Sequence, residues 1–263
     1  FRGDIVIHGN VESGVNIRAT GSITIDGVAE ACMLEAGKDI ILRGGMLGGN
    51  KASVKTKGAI TAKFFEFTNI LCEGDLQADV LMDCSVICHG QIRLTGRKGS
   101  IIGGKVQAIR GLIATSLGND AEKRTEIFVG AGIDVYSRLR VMEKKIEMTR
   151  EELAKIEEGL EKFEILSKER GVSYTNDPRR TSLLRIKIKD SAMLASDEEE
   201  VRKLRILAES SRGACVSVIQ EIYPGVIINM DELKLALKNM ATGVEFYKLP
   251  DKIGTRPCSA AVE

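Results

Sequence analysis

The chain has 263 residues, of which 43% are hydrophobic, but only 4% are aromatic and none is tryptophan. Such a core is built mainly from Val, Ile, Leu and Ala, which favours narrow repeated layers over a β-sandwich. The 38 Lys and Arg residues nearly balance the 37 Asp and Glu residues, and the net charge of +1 excludes the strongly basic surface of a nucleic-acid or membrane-surface binder.

The first half of the chain is a repeat. Its units begin at intervals of 16 to 20 residues, with GDIVI from 3, GSITI from 21, KDIIL from 38, GAITA from 58, GDLQA from 74 and GQIRL from 90. Apolar residues at every second position are typical of short strands with one buried face. One coil cannot bury its own inward face, so the coils must stack in parallel. We predict a parallel β-helix over residues 1–133, right-handed because the coil length varies too much for the strict six-residue step of left-handed β-helices.

Residues 134–213 are predicted to form an inserted α-helical hairpin. In its first helix, apolar residues alternate steps of three and four and predict a coiled-coil seam. This seam consists of Leu139, Met142, Ile146, Leu153, Ile156, Leu160 and Phe163, with Thr149 at the remaining position. Gly171 ends the helix, and Asp177 and Pro178 are suited to begin a second one. The two helices are similar in length, which predicts an antiparallel coiled coil.

The second helix has a less regular seam, and strands follow it. The second seam is predicted at Leu184, Ile188, Leu194, Val201, Leu204 and Ala208. After Gly213 the pattern returns to alternation, as in ACVSVIQEIYPGVIINM and GVEFYKL. Residues 214–263 are therefore predicted to complete or cap the β-helix. The predicted fold class is an all-β parallel β-helix, or β-solenoid, with an inserted antiparallel coiled-coil hairpin.

The possible catalytic and metal sites are weak. His8 and His89 each precede a glycine corner, and the sequence identifies no acid as a partner for either. Acidic residues beside the strands could line a carbohydrate-cleaving groove, although ordinary solvated positions explain them better; they are Glu30, Glu35, Asp39, Glu66, Asp75, Asp79 and Asp83. The glycines of VGAGIDV, residues 129–135, precede a coiled coil rather than a βαβ unit and fit a junction better than a dinucleotide site.

The six cysteines include no CxxC pair, which favours core thiols over zinc ligands. We therefore predict no catalytic residue, no cofactor and no metal. One basic turn, TGRKGS at residues 95–100, could bind an acidic partner or phosphate, although an ordinary solvated turn explains it better. The candidate interaction residues are Arg97 and Lys98 in this turn, with Arg93 and Lys105 nearby.

Three stretches of the solenoid carry a family resemblance: FRGDIVIHGNVESGVNIRATGSITIDG, GGNKASVKTKGAITAKFFEFTNILCEGDL and GRKGSIIGGKVQAIRGLIATSLGNDAEKRTEIFVG. Followed by the coiled coil and IYPGVII, they closely resemble the FapA family, the flagellar assembly protein A group. The resemblance implies a right-handed β-helix similar in kind to bactofilins and the MinC C-terminal domain, which are polymerising or protein-binding modules of the bacterial cytoplasm. It also implies a domain preceding Phe1. The looser tail NMDELKLALKNMATGVEFYKL departs from the family pattern.

These observations predict a non-enzymatic bacterial scaffold or protein-interaction module that is able to self-assemble. The resemblance links it to flagellar assembly or to organisation of the cell pole and envelope. We expect a cytoplasmic protein with neither a membrane span nor a signal peptide, because no apolar run approaches about 18–20 residues. The expected partners are proteins or further copies of the chain, through the coiled coil or the β-helix ends, and not nucleic acid. The alternative is a β-helix enzyme, either an acyltransferase using His8 or a polysaccharide-cleaving enzyme.

Overall fold

A computed structural model describes residues 1–96, 98–171 and 173–259. The chain divides into two compact units. One unit comprises Phe1–Gly132 and Ser210–Glu263, and the other comprises Ile133–Glu209. The first unit is a β-solenoid of mostly parallel strands, and the inserted unit contains two helices that contact each other. The predicted fold class, a parallel β-solenoid with an inserted helical hairpin, is confirmed.

The strands are short and occur throughout the solenoid unit. They are β1 (Ile5–Ile7), β2 (Asn16–Ala19), β3 (Ile23–Ile25), β4 (Ala29–Glu30), β5 (Met33–Ala36), β6 (Ile40–Leu42), β7 (Met46–Thr56), β8 (Ile60–Ala62), β9 (Phe64–Cys72), β10 (Leu76–Gln77), β11 (Val80–Met82), β12 (Ser85–Cys88), β13 (Ile92–Leu94), β14 (Ser100–Ile102), β15 (Gly104–Ala108), β16 (Leu112–Leu117), β17 (Thr125–Val129), β18 (Cys215–Ile222), β19 (Val226–Met230), β20 (Leu233–Ala236), β21 (Ala241–Lys248) and β22 (Ile253–Pro257). The helices are α1 (Gly132–Arg170) and α2 (Pro178–Ser210).

The parallel strands stack into three ladders, one for each side of the coil. The first ladder contains β1, β3, β6, β8, β10, β13 and the first halves of β16 and β18. The second contains β2, β5, the second halves of β7 and β9, β12, β15, β17 and β19. The third contains β4, the first halves of β7 and β9, β11, β14 and the second halves of β16 and β18. The longer strands turn a corner and belong to two ladders.

The core is a set of aliphatic columns that run through the coils. In the first ladder Ile23, Ile40 and Ile60 lie directly above one another, and the column continues through Leu76, Ile92, Leu112 and Val216. All of these side chains are fully buried. Because successive residues of a strand point to opposite faces, β6 places Ile40 and Leu42 inside and Ile41 outside. The alternation seen in the sequence is therefore the inward and outward alternation of the solenoid.

A carboxylate and a glycine from successive coils form a recurring corner. The Oδ1 atom of Asp39 accepts a hydrogen bond from the backbone N–H of Ala59 at 2.7 Å. A Cβ atom on Gly58 would lie only 2.3 Å from this oxygen. Glycine in the later coil thus leaves room for the aspartate of the earlier one. The same arrangement joins Asp4 to Gly21 and Ser22, and Asp75 to Gly90 and Gln91.

The strands after the helices first extend the solenoid and then close it. β18 and β19 pair in parallel with β16 and β17, so they continue the existing ladders. β20 and β21 then pair antiparallel with β19 and β18, and β22 pairs antiparallel with β21. The backbone groups of the last parallel strands are thus satisfied by strands of the opposite direction. This covers a sheet edge that would otherwise be open to pairing.

The helical hairpin begins and ends with recognisable signals. The Oδ1 atom of Asp177 accepts a hydrogen bond from the N–H of Arg179 at 2.7 Å, and Pro178 is the first residue of α2. This is the N-cap that the sequence predicts. α1 ends at Arg170, directly before Gly171, whose φ is positive at 63°. α1 begins at Gly132, earlier than the seam pattern alone indicates.

Candidate functional site

The predicted seam residues of α1 lie on the less exposed side of that helix. Ile146 is buried, and the other six predicted seam residues are half-buried. Thr149 is also buried. The steps of three and four residues keep all of these side chains on one face of the helix. Their role as a coiled-coil seam stays a prediction, but each occupies a position that a seam would require.

The predicted seam of α2 is only partly right. Val201 and Leu204 are buried and Leu194 is half-buried, whereas the side of α2 that carries Ile188 is open and this residue is 71% exposed. The place given to Ile188 in the seam is therefore wrong. The polar residue Asp197 is buried instead. The second seam was irregular in the sequence because polar residues interrupt it.

Ion pairs between the helices show their relative direction. Residues near the start of α1 pair with residues near the end of α2, and a residue further along α1 pairs with one nearer the start of α2. The pairs include Glu143 with Arg205 at 2.6 Å, Arg150 with Glu198 at 2.5 Å and Glu157 with Lys187 at 2.8 Å. The helices are therefore antiparallel, as predicted. Such exposed pairs stabilise a structure modestly, by about 0.2–1 kcal/mol each, but they favour one alignment over others.

One ion pair in the hairpin is partly withdrawn from water. The side chain of Asp197 is 12% exposed, and its Oδ2 atom lies 2.7 Å from Nζ of Lys145. This oxygen nevertheless has no hydrogen-bond partner, because the two groups lack hydrogen-bond alignment. The hydroxyl of Thr149 donates to the carbonyl oxygen of Lys145 at 3.0 Å. These three residues form a polar layer in an otherwise apolar seam, a device that fixes register in coiled coils.

The structure separates the candidate basic residues. Arg93 lies on β13 in the first ladder, and its Nε atom donates to Oε1 of Gln91 at 2.8 Å. Lys105 lies on β15 in the second ladder, with Nζ 4.5 Å from the ring centroid of Phe128. Lys98 is exposed, and Arg97 lies outside the described residues. Arg93 and Lys105 therefore belong to different sides of the coil, and the interaction role of the four residues stays a prediction.

His8 has an acidic partner that the sequence alone does not identify. The Nδ1 atom of His8 lies 2.7 Å from Oδ2 of Asp26, which follows the equivalent strand of the next coil. Arg43, one coil further on, lies 3.5 Å from the other oxygen of Asp26. The side chain of His8 is 82% exposed. A carboxylate can orient an imidazole, but general acid–base catalysis also needs a site that positions the substrate. This pair lies on the open surface of a corner.

Four of the six cysteines, Cys32, Cys72, Cys84 and Cys88, are buried inside the solenoid, and Cys215 and Cys258 are partly exposed. Cys72 and Cys88 are in register on β9 and β12, and their thiols donate to the carbonyl oxygens of Gly58 and Gly74. The contact between the two thiols raises the pKa of Cys88 and lowers that of Cys72. Burial raises the pKa of Cys84 to about 11. Within the described part of the chain, no three His, Cys, Asp or Glu side chains are grouped as metal ligands.

The ladders, the closing antiparallel strands and the inserted helix pair define the class of protein: a β-solenoid with a helical hairpin. The polar and charged groups described above lie on the outer faces of the solenoid and between the two helices. The family model of the Flagellar Assembly Protein A beta solenoid domain (FapA) matches residues 1–253. The chain belongs to this family, and the resemblance found in the sequence is confirmed. No curated protein and no solved structure matches the chain. Neither α1 nor α2, over the residues described, contains an apolar stretch that could span a membrane.

Proposed function

We propose that this chain is a non-enzymatic scaffold or protein-interaction module that serves flagellar assembly in the bacterial cytoplasm. The observation that carries the proposal is the family match, which extends over residues 1–253 and includes the inserted hairpin. Organisation of the cell pole or envelope is the setting in which such a module acts. Its partners are proteins or further copies of the chain, because the net charge of +1 provides no general attraction for nucleic acid.

The architecture supports an interaction role. A solenoid holds its outer side chains in flat columns fixed by the strand register, which suits binding to extended surfaces. The hairpin adds two long helices whose ion pairs hold them in one alignment. The best alternative catalytic group, His8, is bound to Asp26 on an open corner. This position offers a surface contact more readily than an enclosed reaction.

Genetic complementation tests the proposal. The gene is inactivated in the flagellated bacterium that encodes it, and swimming is measured after the return of the wild-type chain, a His8→Ala variant or a chain lacking residues 136–213. We expect the His8→Ala variant to restore swimming and the deletion variant to fail. Far-UV circular dichroism of the purified deletion variant, with retained β signal, serves as the folding control. Loss of swimming with His8→Ala would favour the enzyme alternative and overturn the proposal.

Self-assembly is the second part of the proposal and has its own measurement. Light scattering on a sizing column gives the mass of the chain over a range of concentrations, with and without residues 136–213. We expect the mass of the complete chain to rise with concentration. If the deletion removes the rise, the hairpin makes the contact, and if it does not, the solenoid does. A monomer at every concentration would overturn self-assembly and leave the docking role.

A further inference from the structure

We infer that the groove between α1 and α2 is a docking site for an amphipathic helix rich in Lys or Arg. The inference rests on the proposed function in one respect, since it names the kind of partner that the module binds. The hairpin groove is the open cleft of about 1080 Å³ that residues 143–151 of α1 and residues 198–209 of α2 line. It lies entirely within the helical unit.

The floor of the hairpin groove is apolar. Ile146 and Val201 contribute to it as buried side chains, and Ile206 stands beside them with 55% of its surface exposed. Two helices bury only the part of the seam that lies between them. A third helix would cover the apolar side chains that remain exposed on the open side of the groove. An incoming apolar side chain would remove the exposed part of Ile206 from water, which contributes about 25 cal/mol per Å² of buried apolar area.

The rim of the hairpin groove has uncompensated negative charge. Five carboxylates and three guanidinium groups line it, which gives a net charge of −2. Each arginine already has a partner: Arg150 pairs with Glu198, Arg205 with Glu143 and Arg202 with Glu199. Over the described ranges, the remaining carboxylates form no ion pair; they are Glu147, Glu151 and Glu209. Charge complementarity therefore selects a cationic partner over an acidic one.

The dimensions of the hairpin groove fit a short helix. The lining residues extend over nine positions of α1 and twelve of α2, which correspond to about 13 and 18 Å at 1.5 Å per residue. A helix of about three turns covers this length and presents apolar side chains at i, i+3 or i+4, and i+7. Cationic side chains that flank these positions would then lie beside the free carboxylates of the rim.

Peptide binding tests the inference on the complete chain. The probes are two fluorescent amphipathic peptides of about 18 residues, one of Leu and Lys and one of Leu and Glu, in the same arrangement. Fluorescence anisotropy is measured for the wild-type chain, a Glu147→Lys/Glu151→Lys variant and a Glu158→Lys/Glu161→Lys variant. The second variant changes the net charge equally, but Glu158 and Glu161 do not line the groove. Its response therefore separates the groove from a general charge effect.

We expect the Leu/Lys peptide to bind the wild-type chain and the Glu158/Glu161 variant, and to bind the Glu147/Glu151 variant at least about tenfold more weakly. The Leu/Glu peptide should not bind. An unchanged helical circular dichroism signal controls for folding of each variant. Equal weakening in both variants, equal binding of both peptides, or no binding of the Leu/Lys peptide would overturn the inference.

A second copy of the chain is a different occupant, and light scattering distinguishes it. Self-association that Glu147→Lys/Glu151→Lys abolishes, without binding of the Leu/Lys peptide, would assign the groove to a second copy and overturn the inference. The complementation result with His8→Ala does not depend on either outcome. Failure of the groove inference is therefore separable from failure of the proposed function.

Discussion

The solenoid and the helical hairpin are stabilised in different ways. In the solenoid, inward side chains such as Ile23, Ile40 and Ile60 are fully buried and contact their equivalents in the next coil. In the hairpin, predicted seam residues such as Leu153 and Ile156 are only half-buried. The solenoid therefore depends mainly on burial of apolar area, and the hairpin obtains less stabilisation from the same type of residue.

Charged groups also have different roles in the two regions. In the solenoid, Asp39 accepts a hydrogen bond from the backbone N–H of Ala59, so the carboxylate stabilises a corner of the next coil. In the hairpin, charges such as those of Glu143 and Arg205 pair between helices. The first use fixes the local backbone, whereas the second fixes the alignment of two elements. A rigid repeat and a groove with free charge can therefore belong to one chain, because different forces stabilise them.

The largest expected effect concerns the solenoid core. Ile40 and Ile41 are neighbours on β6, but Ile40 is fully buried and Ile41 is 37% exposed. Ile40→Ala removes buried methylene groups and leaves a cavity between rigid coils, so we expect the free energy of unfolding to fall by about 2–5 kcal/mol. Ile41→Ala should change it by less than about 1 kcal/mol. Urea unfolding followed by β circular dichroism measures both. Equal losses would show that the strand alternation does not govern stability.

Replacing one glycine by alanine in each region should change the free energy of unfolding in opposite directions. A Cβ on Gly58 would meet both the Asp39 carboxylate and the backbone carbon of Lys38, at 2.3 and 2.7 Å. Gly58→Ala should therefore lower the free energy of unfolding by about 1–3 kcal/mol. Gly159 lies inside α1, where a Cβ would meet only the flexible end of Leu183 at 3.3 Å. Gly159→Ala should stabilise the hairpin by about 0.5–1 kcal/mol.

Thermal unfolding followed by circular dichroism measures both changes in stability, because the helical signal reports on α1 and α2 and the β signal reports on the solenoid. An Asp39→Ala/Gly58→Ala double variant refines the first result. Removal of the carboxylate should recover only part of the loss, since the contact with the backbone of Lys38 remains. Stabilisation by Gly58→Ala would contradict the proposed fit between carboxylate and glycine.

The sequence predicted what depends on local spacing. Alternation in GSITI indicated that Ile23 and Ile25 point inward, and both are buried. The N-cap at Asp177 was predicted from the residue types beside Pro178. The direction of the closing strands was not predictable, because a parallel coil and an antiparallel cap bury similar alternating patterns. β20 and β21 satisfy the edge of the solenoid by pairing that no local pattern specifies.

The side-chain pairs between different coils could not be predicted from residue spacing in the sequence either. His8 and Asp26 are 18 residues apart, and their 2.7 Å contact depends on the register of β1 with β3. The sequence interpretation assigned only apolar residues to the seam, so the burial of Asp197 was not predicted. Asp197 can occupy a seam position because Lys145 lies close to its carboxylate. Ile188 was wrongly included for the same reason, since an apolar residue was assumed to face the seam.

The polar layer of the hairpin gives the third prediction. Lys145→Ala leaves the Asp197 carboxylate buried without its cation, so we expect the hairpin to lose about 1–2 kcal/mol of stability, less than for a fully buried pair because Lys145 is half-exposed. Asp197→Leu removes the buried charge and adds apolar contact. This variant should be neutral or more stable. Thermal unfolding of the helical signal measures both variants. A greater loss with Asp197→Leu than with Lys145→Ala would contradict the assignment of Asp197 to an apolar seam.

Salt should produce the smallest effect and should separate the two regions most directly. Among the described residues, four exposed ion pairs join the helices: Arg138 with Glu200, Glu143 with Arg205, Arg150 with Glu198 and Glu157 with Lys187. Each contributes about 0.2–1 kcal/mol in dilute salt, and screening weakens it as the Debye length falls from about 10 Å at 0.1 M to about 3 Å at 1 M. Raising NaCl over this range should lower the melting temperature of the helical signal by a few degrees. The midpoint of the β signal should fall less, because the solenoid also has exposed ion pairs but obtains most of its stability from buried apolar columns, which salt does not screen. Arg150→Gln should reduce the salt response of the helical signal. The control variant Arg18→Gln removes the exposed Arg18–Glu35 pair of the solenoid and should leave the salt response of the helical signal unchanged. A salt response of equal size in both signals would contradict the larger share of stability that the solenoid obtains from apolar burial.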